Sequence, residues 1–137
     1  MAFADAQSGC TIFSGEATAS ILLAGSVARG DALGYSGGWK RALATTGNVI
    51  QMRCVAGEDG VSGQYITAYF GDCEVGGDRF SGATVGGAVY VEEGTGNGKY
   101  TQTLPDTAGD STKVVGYAVS ATRLHVAPNM NVDSVKA

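Results

Sequence analysis

Residues 30–42, GDALGYSGGWKRA, decide the fold. Leu33 and Tyr35 alternate with Ala32 and Gly34, the two-residue period of a strand with one buried face. Ser36, Gly37 and Gly38 break that run with residues that tolerate turn geometry, the glycines also at positive φ. Trp39 follows at once and is the chain's one tryptophan. A three-residue loop sets Trp39 opposite Tyr35 as an aromatic cross-strand pair, whereas a two-residue loop pairs it with Ser36. The three-residue loop is preferred, because it gathers Leu33, Tyr35 and Trp39 on one side. Such a hairpin seeds a small β core that the later strands wrap.

Working outward, Ala17–Val27 carries Ile21, Leu22, Leu23 and Val27 and reads as a strand with a turn or bulge at Gly25-Ser26. Val49–Ala56 is the clearest strand, with Ile50, Met52 and Cys54 facing one way and Gln51 and Arg53 the other. Gln64–Phe70 alternates Ile66, Ala68 and Phe70 with Tyr65, Thr67 and Tyr69. Gly71–Gly77 reads as irregular and Asp78–Val85 as a weak edge strand. Ala88–Glu92 and Lys99–Thr103 flank a flexible hairpin tip at Gly94–Gly98. Lys113–Ala121 is the last strong strand, with Val115, Tyr117 and Val119 on one face and Gly116 admitting a neighbouring backbone. Thr122–Val126 continues from it, and Pro128 ends it. There is no helix of more than two turns and no fixed-period repeat. Turns every 8–12 residues or so indicate an all-β barrel or sandwich. Three parts are expected: an N-terminal segment at 1–16, a β-barrel domain at 17–128 and a tail at 129–137.

Composition agrees. Glycine is 22 of 137 residues and proline only 2, so the chain is rich in turns without being collagen-like. Charged residues are 16%, against about 25% in an average domain. The net charge of −4 argues against a nucleic-acid or anionic-membrane partner, either of which favours a basic patch. No secretory signal or membrane-spanning run is read in the sequence. Cys10, Cys54 and Cys73 are odd in number and lack CxxC spacing, which fits synthesis in a reducing cytoplasm.

The search for chemistry returns negatives. His125 is the one histidine, between Leu124 and Val126, and reads as a solvated or hydrogen-bonded strand residue rather than a base. Cys54 and Cys73 read as small buried apolar residues rather than zinc ligands or nucleophiles. Gly98-Lys99 fails as a phosphate loop, because Glu93 stands at the first glycine position and Tyr100 at the magnesium-binding hydroxyl. Arg29-Gly30-Asp31 spells a cell-adhesion tripeptide but opens the hairpin. The acidic pairs Glu58-Asp59, Asp72 with Glu74, Glu92-Glu93 and Asp106 with Asp110 lack calcium-loop spacing and read as solvated turns. There is no GxSxG elbow. No catalytic, cofactor-binding or metal-ligating set emerges.

The order of pieces resembles the capsid decoration, or cement, proteins of tailed phages. The matching stretches are Gly30-Asp31-Ala32-Leu33-Gly34-Tyr35 leading to Trp39, Val55-Ala56 with Gly57 to Gly63, Thr84-Val85-Gly86 to Val89-Tyr90-Val91, and Val114-Val115-Gly116-Tyr117-Ala118. They span about residues 24 to 127. The resemblance implies a small β-barrel or β-tulip-like domain without enzymatic activity, and a homotrimer on the outer capsid surface of the virion. It implies the major capsid protein as partner, with neighbouring capsomers bridged and the shell reinforced against packaged DNA. Residues 1–16 lie outside the match. They read either as a frayed terminus packed on its own domain or as an extended arm that orders on a partner. In the second case Phe3, Ile12 and Phe13 are the capsid- or subunit-binding anchors. Two rival readings are a carbohydrate-binding fibre or head-fibre module with an exposed platform of Trp39, Tyr65 and Tyr69, and a hydrolase with His125 beside a carboxylate.

Overall fold

The computed structural model describes residues 3–94 and 97–137. Thr95 and Gly96, at the centre of the expected Gly94–Gly98 tip, lie outside the described residues, as do Met1 and Ala2. The chain is all-β. Its strands are β1 (Ala4–Asp5), β2 (Cys10–Gly15), β3 (Thr18–Leu22), β4 (Ala32–Tyr35), β5 (Trp39–Arg41), β6 (Cys54–Ala56), β7 (Tyr65–Tyr69), β8 (Cys73–Gly77), β9 (Phe80–Ser81), β10 (Ala88–Val91), β11 (Tyr100–Thr101), β12 (Val114–Ser120) and β13 (Arg123–Val126).

Two antiparallel sheets carry most of them. One has six strands in the order β11-β10-β12-β13-β8-β2, the other five in the order β3-β7-β6-β4-β5, and β1 pairs with β9 separately. The main core lies where the two sheets face each other. Val75, Val89, Val115, Leu124 and Val126 of the six-stranded sheet meet Ala32 and Val55 of the five-stranded one, with Met52, Phe80 and Tyr100. The opposite face of the five-stranded sheet has its own core of Ile21, Leu33, Cys54, Ala56, Ile66 and Ala68, with Leu23 and Val27. Both faces of β6 are therefore covered, and its three residues are fully buried. No sheet closes into a barrel among the described residues, although the two edges of the five-stranded sheet touch at one parallel bridge, Leu23 to Trp39.

The hairpin forms as read. Tyr35 pairs with Trp39 across a three-residue loop, with Gly37 and Gly38 both at positive φ. The two rings meet edge to face, 5.3 Å between centroids. The Gln64–Phe70 strand also appears, with Ile66 and Ala68 buried and Tyr65 and Thr67 exposed.

Other expectations are corrected. Val49–Ala56 is a strand only from Cys54, and Met52 and Cys54 enter different cores rather than sharing a face. Gly71–Gly77, read as irregular, contains β8, a strand hydrogen-bonded on both sides by β13 and β2. Its glycines hid it. At Gly76 a Cβ would come within 2.8 Å of the Thr122 carbonyl oxygen and 3.0 Å of the Phe13 ring, so no side chain fits. In β12 the expected single face is broken. Val115 is an extra residue between the Val89–Gly116 and Tyr90–Val114 pairs, and this bulge turns it into the core while Tyr117 and Val119 face out. Gly116 does admit a backbone: a Cβ there would collide with the His125 carbonyl oxygen.

The N-terminal segment is part of the body, not an extended arm. β2 pairs with β8 along its length, and β1 pairs with β9. Phe3 is 5% exposed and packs edge to face on Phe80. Asp5 is tied in by a buried ion cluster. Arg79 Nε donates to Asp5 Oδ1 at 2.7 Å and Arg79 Nη2 to Asp5 Oδ2 at 3.1 Å. Arg79 Nη2 also lies 2.8 Å from Asp31 Oδ1, and Arg41 Nε donates to Asp31 Oδ2 at 2.8 Å. Both carboxylates and the Arg79 side chain are fully buried. Burial opposes the charge on Arg79, but its hydrogen bonds to Asp5 and the charges of Asp5 and Asp31 outweigh that and push its pKa up. The Tyr100 hydroxyl donates to the Gly30 carbonyl at 2.7 Å in the same cluster. The adhesion tripeptide is thereby accounted for: its Asp31 is an internal counter-ion.

The tail is also held. Gly109 N donates to Lys136 O, Thr112 N to Ser134 O and Lys136 N to Asp110 O. Arg53 grips Asp133 with two nitrogens, at 2.7 and 2.6 Å, and Lys113 Nζ reaches it at 3.2 Å.

Candidate interaction surface

The outward face of the six-stranded sheet holds the densest set of chemically capable side chains. Register decides who stands there. Leu124 and Val126 of β13 point into the core, so Arg123 and His125 point out. His125 is paired with Tyr117 on one side and Glu74 on the other, and Glu74 with Ser14. Phe13 is the extra residue of a bulge in β2, between the Ile12–Val75 and Ser14–Glu74 pairs. Alternation with Cys10 and Ile12, which face the core, turns Phe13 outward, and the bulge lets Ser14 follow it onto the same face; Phe13 lies 48% exposed across the gap left by Gly76.

These groups are already paired with one another. The Arg123 guanidinium lies 3.7 Å from the Phe13 ring centroid, and its Nε is 2.5 Å from Glu74 Oε1. His125 stacks on Tyr117 at 5.2 Å, with Asp72 Oδ2 3.5 Å from its Nε2 and Glu74 Oε2 4.0 Å from its Nδ1. Tyr117 and Val119 are 42% and 38% exposed beside them. The face is thus aromatic and apolar around the Arg123–Glu74 pair, with Asp72 beside His125.

The three expected anchors separate. Phe3 belongs to the main core, Ile12 is partly buried against that core, and only Phe13 is presented to solvent. Arg123, Glu74 and Tyr117 were missed as its companions, because only the register of β2, β8, β13 and β12 brings them together. The expected sugar-binding platform is not assembled. Trp39 packs against the smaller core beside Phe70, 5.4 Å between centroids, whereas Tyr65 and Tyr69 lie on the other face of β7.

His125 does stand beside carboxylates, as the hydrolase reading requires; the ring and charged groups placed against it are Tyr117, Asp72 and Glu74, and none of these is a serine, threonine or cysteine nucleophile. The three cysteines are free and buried. Burial pushes the thiols of Cys54 and Cys73 up to about 12, far from the thiolate form a nucleophile needs. Among the described residues no three His, Cys, Asp or Glu side chains are placed to hold a metal ion. No helix there is long and apolar enough to cross a membrane.

One concavity, about 630 Å³, is an open groove between Gln7–Cys10, Ser26–Arg29 and Asp59–Gln64. It brings the Arg29 backbone to Asp59, which accepts from Arg29 N at 2.7 Å. No protein-family model matches the chain, and neither the curated proteins nor the solved structures give a match.

Proposed function

We propose that the protein is a non-enzymatic structural protein of a phage virion. It is made in the host cytoplasm, binds the outer surface of the capsid through the major capsid protein, and stabilises the shell by bridging capsomers. The observation that carries this reading is the outward face of the six-stranded sheet. There an exposed Phe13 lies under Arg123, which pairs with Glu74, next to Tyr117 and Val119. Aromatic residues and arginine are what protein interfaces concentrate, and lysine, which they avoid, is absent from this row of positions. The five-stranded sheet, with edges touching at Leu23 and Trp39, supports a barrel-like or tulip-like description of the domain.

Decoration works by multiplicity. A standard interface covers about 800 Å² per partner. Tethering three such patches in a trimer raises occupancy through effective concentration, without any one contact being tight. The test is binding to purified expanded phage shells stripped of decoration, followed by sedimentation. The native chain is expected to co-sediment and to raise the temperature at which the shells rupture. Phe13→Ala with Tyr117→Ala is expected to weaken binding at least tenfold, since central aromatic anchors carry about 2 kcal/mol or more each. A native chain that ignores shells, or a double variant that binds as well as the native chain, overturns the reading.

A further inference from the structure

An acceptor oxygen stands at each nitrogen of the His125 ring. Asp72 Oδ2 lies 3.5 Å from Nε2, and Glu74 Oε2 lies 4.0 Å from Nδ1. A carboxylate only accepts. A neutral imidazole carries one N–H and can serve one of the two, whereas the imidazolium carries two and can serve both. The bracket therefore suits the protonated ring. Register holds the ring there: His125 is opposite Glu74 on β8 and opposite Tyr117 on β12. Tyr117 stacks on it at 5.2 Å between centroids, and the face of a tyrosine attracts a cation within about 6 Å.

The charges around the ring decide what a proton there does. Arg123, two residues back along β13 on the same face, leans over Phe13 and pairs with Glu74 Oε1. Glu74 is thus answered by Arg123. Asp72 is different: among the described residues, the one basic side chain in ion-pair range of it is His125. In the free protein this costs little, because the Asp72 side chain is 59% exposed and water answers its charge. A partner that covers the face takes that water away. A desolvated carboxylate without a counter-charge is heavily penalised. His125, already three-quarters buried beside it, supplies the counter-charge by taking a proton.

We infer that docking on this face is coupled to the uptake of one proton by His125, which bridges Asp72 and Glu74 once the face is covered. The inference rests on the docking reading above and adds its regulation. The sign follows from linkage. A docked form that binds more protons than the free form gains affinity as pH falls through the range where imidazoles titrate, roughly pH 5 to 8. One coupled proton changes affinity by at most about tenfold per pH unit.

The test is co-sedimentation with expanded phage shells at about pH 6 and about pH 8, values that bracket an ordinary imidazole and leave ordinary carboxylates ionised. The native chain is expected to bind about tenfold more tightly at the lower value. His125→Gln keeps polar atoms but takes no proton in this range, so it is expected to bind equally at both, whatever its affinity. It also controls for any titration that belongs to the shell. Asp72→Asn removes the charge that calls for the proton. It is expected to bind more tightly than the native chain at the higher value and to lose most of the ratio, a gain that misfolding does not produce. A native chain that binds equally at both values overturns the inference and leaves the docking reading standing. So does a His125→Gln protein that keeps the native ratio, or an Asp72→Asn protein that binds no better than the native chain at the higher value. A native chain that binds at neither overturns both.

Discussion

Replacing Arg79 with Met tests whether the N-terminal segment is held by charge or merely by packing. Methionine keeps much of the volume and the contacts to Phe80 and Tyr100, which Arg79 now approaches at 5.4 and 5.8 Å. What goes is the fork: the bonds to Asp5, the contact with Asp31, and those to the carbonyls of Arg29 and Gly98. The cluster then holds Asp5 and Asp31 against Arg41 alone. Removing one partner of a buried pair costs about 3–5 kcal/mol, because the other charge stays buried. Some of that is recovered here. Asp5 keeps the amides of Gln7 and Tyr100, and Asp31 keeps that of Ala28 and the Gln7 side chain. A loss of about 3 kcal/mol is the reasoned figure, against a total near 5–15 kcal/mol for a domain. It corresponds to a fall in Tm of about 10 °C. Urea unfolding followed by Trp39 fluorescence reads it directly, provided the slope m is unchanged. Asp5→Asn combined with Arg79→Met should lose less than the two single losses added, since the double variant again balances one carboxylate with one guanidinium. An Arg79→Met protein within about 1 kcal/mol of the native one refutes the argument.

Three further outcomes follow from particular contacts. Cys54 and Cys73, raised by burial to about 12, should resist DTNB in the native protein at pH 8 and react on unfolding. Since free thiols ionise near 8.5 or so, the unfolded chain gains by losing those protons first, and stability should fall as pH rises from there towards 12. Asp133 is held down to about 2 chiefly by its hydrogen bond to Arg53, so a carbon-13 titration should find it low and Arg53→Ala should move it up. Its folded pKa lies below the unfolded one, so its contribution is present above about pH 4 and is lost as pH falls towards 2. Gly116→Ala should cost about 1–3 kcal/mol or abolish folding, because the added methyl meets the His125 carbonyl in the adjacent strand.

The sequence was legible where local chemistry alone decides. The hairpin of β4 and β5 follows from two glycines between two aromatic residues, and β7 from plain alternation. Legibility failed where long-range pairing overrides pattern. β8 reads as loop because Glu74, Gly76 and Gly77 have poor strand propensity, yet β2 and β13 bond it on both sides. Val115 and Ser14 each stand on the face that strict alternation forbids, because the bulges at Val115 and at Phe13 shift the pleat by one residue. Asp5, Asp31 and Arg79 gave no signal at all. They are separated by up to 74 residues, and a lone charge in a polar stretch normally reads as solvated. The side-chain cluster on the outward face of the six-stranded sheet was legible only at Phe13, because its members come from four strands that only the sheet order makes neighbours.

The scarcity of charge gives the placement of these groups its meaning. With 16% charged residues, the chain nonetheless spends an ion pair fastening each end of itself to the middle. Asp5 reaches Arg79, and Asp133 reaches Arg53. The two fastenings are unequal. The N-terminal one is wholly buried and shares its arginine with Asp31, so breaking it strands a charge in the core. The C-terminal one is about two-fifths exposed on both sides, where salt and water weaken it to roughly 0–1 kcal/mol. A domain that only had to fold could leave both ends free. One that must hold its shape while its surface is pulled gains from such fastenings, because the strands next to Asp5 and Asp133 are then slower to peel. That requirement is shared by any protein acting as a brace, whatever it is attached to. It ties the buried cluster to the outward sheet face: the same β2 that displays Phe13 follows directly on the segment that Asp5 pins.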